Sequence, residues 1–172
     1  AYLSVIESLK IASYHQNREL EILWIDSEKL ENQDEKTIEM LKSADGVLVP
    51  GGFGIRGCEG KIFAAKYCRE NKIPYFGICL GMQIMCIEYM REITKDKRYT
   101  SEEFDEDNQI GEKYQVISFL PGQHKNKEKG GTLRLGTYPC KLAKDSISRK
   151  LYGEELIQER HRHRYEFNNK FK

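Results

Sequence analysis

The sequence predicts an α/β fold, a mostly parallel, doubly wound sheet with helices on both faces and a small β insertion. Three observations carry that expectation. Short apolar strands alternate with helical patterns through the first half of the chain, as in parallel sheets. Two of those strands end in glycine turns, Val49-Pro50-Gly51-Gly52-Phe53-Gly54 and Phe76-Gly77-Ile78-Cys79-Leu80-Gly81. The second half is less regular, with charged loops and extended segments that read as an insertion.

The elements follow in order. Tyr2–His15 reads as a helix with Val5, Ile6, Leu9 and Ala12 on one face. Leu20–Ile25 reads as a strand and Asp34–Lys42 as a short helix with Ile38 and Leu41 inward. Gly46–Pro50 is a buried strand, Gly60–Asn71 a helix and Ile73–Gly77 a second buried strand. The helix from Leu80 carries Met82, Ile84, Met85, Cys86, Ile87 and Met90, so little polar face that burial is expected. Arg91–Asp107 is polar and reads as a surface loop, Gln115–Leu120 as a strand, and Gln123–Lys129 as a lysine-rich loop. Segments 130–136 and 137–142 read as two strands of a hairpin-like insertion. Asp145–Tyr152 reads as a helix capped by Asp145 or Ser146, and the chain from Arg160 as extended.

Length and composition narrow the function. The 172 residues suit one domain with a real core. A formal net charge of +1, from 28 basic and 27 acidic residues, gives no field to gather nucleic acid or an anionic membrane. No apolar run approaches the ~18 residues that span a bilayer, and the first residues do not form a signal peptide. The five cysteines (Cys58, Cys68, Cys79, Cys86, Cys140) contain no Cys-x-x-Cys pair, which fits a reducing, cytoplasmic setting without structural disulfides or zinc. No metal site is expected. The chain starts without Met inside a helical pattern and ends just after an apparent strand, so both ends read as cut from something larger.

Chemistry concentrates at Gly77-Ile78-Cys79-Leu80-Gly81. Gly-x-Cys-x-Gly between a strand and a helix is the sulfur form of the nucleophile elbow. Glycines at positions 77 and 81 keep the turn clear of side chains. The helix N-terminus aims backbone N–H groups at the sulfur, which favours the thiolate. A buried structural cysteine is the usual fate of a free thiol, and Cys58, Cys68, Cys86 and Cys140 fit that plainer reading. Gly51-Gly52 leaves a successive parallel strand at the same end of the sheet, where ligands bind. The N–H groups of Gly52 and Leu80 are therefore the natural oxyanion pair. No Gly-x-x-x-x-Gly-Lys-Ser/Thr phosphate loop occurs. In Arg160-His161-Arg162-His163-Arg164, strand alternation puts the two histidines on one face and the arginines on the other. An arginine fork there suits a carboxylate.

These segments also carry a resemblance. The glycine loop 49–57, the elbow 77–83, Gly130-Gly131-Thr132-Leu133-Arg134-Leu135-Gly136 and Glu159-Arg160-His161-Arg162-His163-Arg164-Tyr165-Glu166 occur in this order. Together they resemble the C-terminal glutaminase domain of the CTP synthase family, a class I (triad) glutamine amidotransferase with a flavodoxin-like sheet. The match spans nearly the whole chain. The resemblance implies that Cys79 forms a glutamyl thioester, that Gly52 and Leu80 make the oxyanion hole, and that glutamine lies among Gly52, Phe53, Leu80, Gly81, Met82, Gln83, Glu103, Arg164 and Tyr165. Glu103, in a Ser-x-Glu-Phe-like segment, would hold the substrate ammonium, and Arg164 its α-carboxylate. Phe53, Arg56 and Arg134 would meet GTP, the family's allosteric activator.

The resemblance further implies a separate N-terminal synthase domain, absent here, that uses ATP and Mg to aminate UTP to CTP with the released ammonia. A homotetramer is implied for the whole enzyme. The family's catalytic His and Glu lie in a Phe-His-Pro-Glu-Phe-like segment that these 172 residues lack. Residues 1–172 are therefore expected to be an amidotransferase domain incomplete at its C-terminus. The alternatives are the glutaminase domain of another amidotransferase, a redox cysteine protein of similar fold, or a non-catalytic homologue that senses glutamine or GTP.

Overall fold

A computed structural model describes residues 2–105, 107–119 and 134–172. They form two units, one containing the residues up to Ser118 together with Phe167–Lys172, the other Phe119–Glu166.

The first unit opens with α1 (Leu3–His15), where Val5, Ile6 and Leu9 are half-buried and Ala12, expected on the same face, is exposed. The strand predicted at Leu20–Ile25 does not form, since these residues join no ladder among the described residues and Trp24 is exposed. Ile25 instead packs against a core of Leu30, Leu41 and Ala64. A short apolar run looks alike in a strand and in a segment that lends side chains to a core. Helices α2 (Ser27–Glu31) and α3 (Glu35–Ser43) are each started by an aspartate. Asp26 accepts the Glu28 N–H at 2.9 Å, and Asp34 accepts the Thr37 N–H at 3.0 Å.

β1 (Val47–Val49), α4 (Cys58–Asn71), β2 (Tyr75–Gly77) and α5 (Leu80–Thr94) form the centre of this unit. β1 and β2 pair in parallel, Val47 opposite Tyr75 and Val49 opposite Gly77. The pairing continues one step as Ile78 N–H donates to Val49 O at 2.9 Å. Both glycine turns therefore leave the same end of the same pair of strands. α4 packs on α2 and α5, and α5 on both strands. Burying Leu80, Ile84 and Ile87 of α5 contributes about 1.5–3 kcal/mol each.

α5 is not buried all round. Met85, Tyr89 and Ile93, four residues apart, are exposed, while Glu88 is only 4% exposed. Composition misassigned Met85. Glu88 is tolerated inside because the Arg69 guanidinium holds it through three hydrogen bonds of 2.9–3.1 Å. The predicted loop Arg91–Asp107 is also corrected. α5 continues to Thr94, and β3 (Thr100–Ser101) pairs in parallel with β4 (Gln115–Phe119). Thr100 and Ser101 are buried but polar, and two residues are too few to show a strand period.

In the second unit, β5 (Arg134–Lys141) pairs antiparallel with β6 (Leu156–His163), from Arg134 opposite His163 to Lys141 opposite Leu156. The two strands predicted from 130 to 142 are thus one strand within the described residues. Pro139 is accommodated because a two-stranded ladder leaves each strand an open edge. Between them lies α6 (Ile147–Tyr152), with Ser146 as its cap, accepting the Arg149 N–H at 3.1 Å. The lysine-rich segment 123–129, Gly130–Leu133 and Leu120 lie outside the described residues. β7 (Tyr165–Phe167) leads back to the first unit. There Asn168 N–H donates to Val116 O at 2.8 Å and its side-chain amide to Gln115 O at 3.0 Å.

Candidate active site

Cys79 stands between the end of β2 and the start of α5 with φ 53° and ψ −107°. A residue with a Cβ avoids that region, so strain of about 1–3 kcal/mol is held at this position. The surroundings enforce it. A Cβ at Gly77 would lie 2.4 Å from the Gly81 carbonyl carbon, and one at Gly81 would lie 2.0 Å from Val49 O. The glycines let the first turn of α5 press directly on the two strands. Tyr75, half-buried, fastens the same turn, its hydroxyl donating to Gly81 O at 2.8 Å. Sequence reasoning passed over Tyr75, although strand alternation places it on the face of Gly77.

The glycine loop lies beside this elbow. A Cβ at Gly51 would touch the Cys79 Cβ at 3.4 Å, and one at Gly52 would meet Leu80 Cδ2 at 3.2 Å. The Gly52 backbone thus lies against the Leu80 side chain across the two turns. The Leu80 N–H already bonds the Cys79 sulfur. Leu80, Gly81 and Gln83 are buried, and Met82 is half-buried, its sulfur taking the Cys86 thiol at 3.6 Å.

The expectation of a depressed thiol pKa is corrected. Burial pushes the Cys79 thiol up, the Leu80 N–H opposes this, and the Glu103 charge adds to the rise, so the net direction is upward. One N–H group at a helix start does not outweigh removal of the sulfur from water. The elbow therefore calls for a proton acceptor at the moment of attack. Burial pushes Cys58 and Cys68 up to about 11, in keeping with inert core thiols.

Glu103 is brought to the glycine loop from a segment distant in sequence. Its carboxylate accepts the Gly54 N–H at 2.8 Å. It also lines a cavity of about 330 Å³ with Ile55, Phe104, Asp105, Asp107, Gln109 and Ile110. Asp105 is consumed structurally. Burial pushes it up, but the N–H groups of Ile110, Gly111 and Gln109 hold it below the ordinary range. Cys79, Gly52, Leu80 and Glu103 therefore form one neighbourhood with an acid, a sulfur and backbone donors.

Phe53 is 77% exposed on the loop. Arg56 is exposed too, and its guanidinium pairs with Glu28 of α2 at 2.6 Å, a partner that no motif announced. In the second unit, the Arg134 guanidinium pairs with Glu166 at 3.1 Å and lies 4.5 Å from the centre of the Tyr138 ring. Arg164 occupies the bend between β6 and β7, half-buried, so it leaves the exposed face shared by Arg160 and Arg162. Tyr165 packs its ring on Phe119, 4.5 Å between centroids. Among the described residues, no three His, Cys, Asp or Glu side chains gather as metal ligands, and no helix is long and apolar enough to cross a membrane.

Comparison with known proteins adds three findings. A family model described as glutamine amidotransferase class-I matches residues 1–172. Among curated relatives, the CTP synthase of Clostridium kluyveri is 52% identical over 169 residues, covering 98% of this chain and 30% of that protein. The CTP synthase of Shouchella clausii is 49% identical over 172 residues, covering 100% of this chain and 31% of that protein. Among solved structures, the glutaminase domain of Trypanosoma brucei CTPS with bound acivicin superposes with a TM-score of 0.87 and 36% identity. The superposition covers 99% of this chain and 63% of that one. The chain thus spans about three tenths of the length of these curated relatives.

Proposed function

Because this chain belongs to the class-I glutamine amidotransferase family, we propose that it is the glutaminase domain of a CTP synthase, releasing ammonia from glutamine through Cys79. The observation that carries this reading is the strained elbow at Cys79 set beside the Gly51–Gly52 loop. The acivicin of the trypanosomal relative is a glutamine analogue, which supports glutamine as the ligand.

In this reading the Cys79 sulfur attacks the side-chain amide carbonyl of glutamine. The N–H groups of Gly52 and Leu80 receive the negative oxygen of the tetrahedral intermediate. Its collapse expels ammonia and leaves a glutamyl thioester, which water then hydrolyses to glutamate. The Glu103 carboxylate, in the cavity beside the loop, takes the substrate ammonium. Arg164 takes the α-carboxylate through its fork, with Phe53, Met82, Gln83 and Tyr165 bordering the substrate. The thiol proton needs an acceptor and the leaving nitrogen a donor. We assign both roles to a histidine and glutamate outside these 172 residues. Among the described histidines, His161 and His163 bond each other and His15 ends α1.

The wider functional reading shares this basis. Ammonia passes to an N-terminal synthase domain that uses ATP and Mg to aminate UTP. GTP activates the reaction against Phe53, Arg56 and Arg134. The working enzyme is a cytoplasmic homotetramer, and neither nucleic acid nor membrane is a partner. The test is to supply the whole protein with glutamine, ATP, Mg and UTP and to measure glutamate and CTP, with and without GTP. The expected result is equimolar glutamate and CTP, stimulated by GTP, with glutamine-dependent turnover abolished in Cys79→Ala while added ammonia still supports CTP formation. Glutamine binding without glutamate release would favour the sensing alternative.

A further inference from the structure

The two histidines of β6 are left unused by the chemistry above, and their geometry has a direction. His163 Nδ1 lies 2.9 Å from Tyr165 O, and His163 Nε2 lies 2.8 Å from His161 Nδ1. A backbone carbonyl can only accept, so His163 Nδ1 carries the hydrogen. In its neutral form His163 presents a bare Nε2, which can only accept. His161 Nδ1 must therefore donate. One carbonyl sets both tautomers.

The residue spanned by the His163-to-Tyr165 bond is Arg164. It sits in the bend between the two strands, and the imidazole closes that bend from two residues away. The pair is braced from β5. The Tyr138 ring meets His161 edge-on at 5.3 Å, and Arg134 stands opposite His163 in the ladder, held by Glu166. Burial holds His161 below the ordinary imidazole range, the repulsion of a charged His163 and of Arg134 adding to it and the charges of Glu159 and Glu166 opposing it. This favours a neutral His161.

We propose that His163 is a positioning residue for substrate recognition, fixing the Arg164 bend through its Nδ1–H, with His161 bracing its ring at Nε2. The inference rests on the reading of Arg164 as the site for the substrate carboxylate. The variants follow the nitrogen positions. Asparagine places an N–H near that of Nδ1, glutamine places one near Nε2, and alanine removes both.

The experiment measures kcat and KM for glutamine in the whole protein for native, His163→Asn, His163→Gln, His163→Ala and Arg164→Ala forms, with thermal melting to establish folding. It repeats the series with the glutamine analogue whose α-carboxylate is an amide. KM within about twofold of native is expected for His163→Asn. A rise of about tenfold is expected for His163→Gln and His163→Ala, with kcat nearly unchanged. The penalty should vanish with the amide analogue. Equal effects of His163→Asn and His163→Gln, or a loss confined to kcat, would overturn the proposal. If Arg164→Ala raises KM and the His163 variants do not, the relay alone fails. If Arg164→Ala leaves KM unchanged, the carboxylate reading fails and the proposal with it.

Discussion

At the scale of single residues, strain and proton chemistry meet at Cys79. Its φ of 53° is the conformation that glycine adopts without penalty. Cys79→Gly is therefore expected to be more stable than Cys79→Ala by about 1 kcal/mol, although both lack the nucleophile. Denaturant melts of the two variants check this, and equal or reversed stabilities would show that the elbow is unstrained. The Glu103 charge helps to hold the Cys79 thiol up. Glu103→Gln removes that charge and leaves an oxygen able to accept from Gly54. The thiol pKa then falls, the thiolate fraction near pH 8 rises, and alkylation of Cys79 by neutral iodoacetamide quickens several-fold. A slower or unchanged rate would mean that the carboxylate does not act on the sulfur. Cys79 was legible in the sequence because glycines stand on both sides of it. Glu103 was legible only through family resemblance, since nothing local marks a loop acid that closes on Gly54. The upward thiol pKa was not legible, because burial depends on what packs above the elbow.

At the scale of elements, the contact between α5 and β1 decides whether the elbow forms. Gly81→Ala would set a methyl carbon 2.0 Å from Val49 O, a backbone atom that cannot step aside without breaking the β1–β2 register. A loss of about 2–4 kcal/mol is expected, read from the denaturation midpoint, with loss of selective labelling at Cys79. A near-native variant would show that α5 does not rest on that strand. The order β1, loop, α4, β2, α5 was readable because each strand is a short apolar run closed by glycine or proline. Leu20–Ile25 was misread because its apolar residues serve a core and not a ladder. Met85, on an exposed line with Tyr89 and Ile93, was misread because apolar composition does not say which faces of a helix find neighbours.

At the scale of the whole molecule, the Cys79 elbow and the Gly51–Gly52 loop leave one parallel pair of strands, and Glu103 reaches that loop from the segment after β3. The partly read insertion illustrates the limit of sequence patterning. β5 looked like two strands because Gly136 and Pro139 punctuate it, yet β6 pairs along its whole described length. The central claim is that Cys79 attacks the side-chain carbonyl of glutamine. It is tested most directly by treating the whole protein with diazo-oxo-norleucine, a glutamine-mimicking electrophile, and locating the adduct by peptide mass spectrometry. One adduct on Cys79, prevented by excess glutamine, is the expected result. No adduct on Cys79, or labelling spread over Cys86 and Cys140 without protection by glutamine, would contradict it.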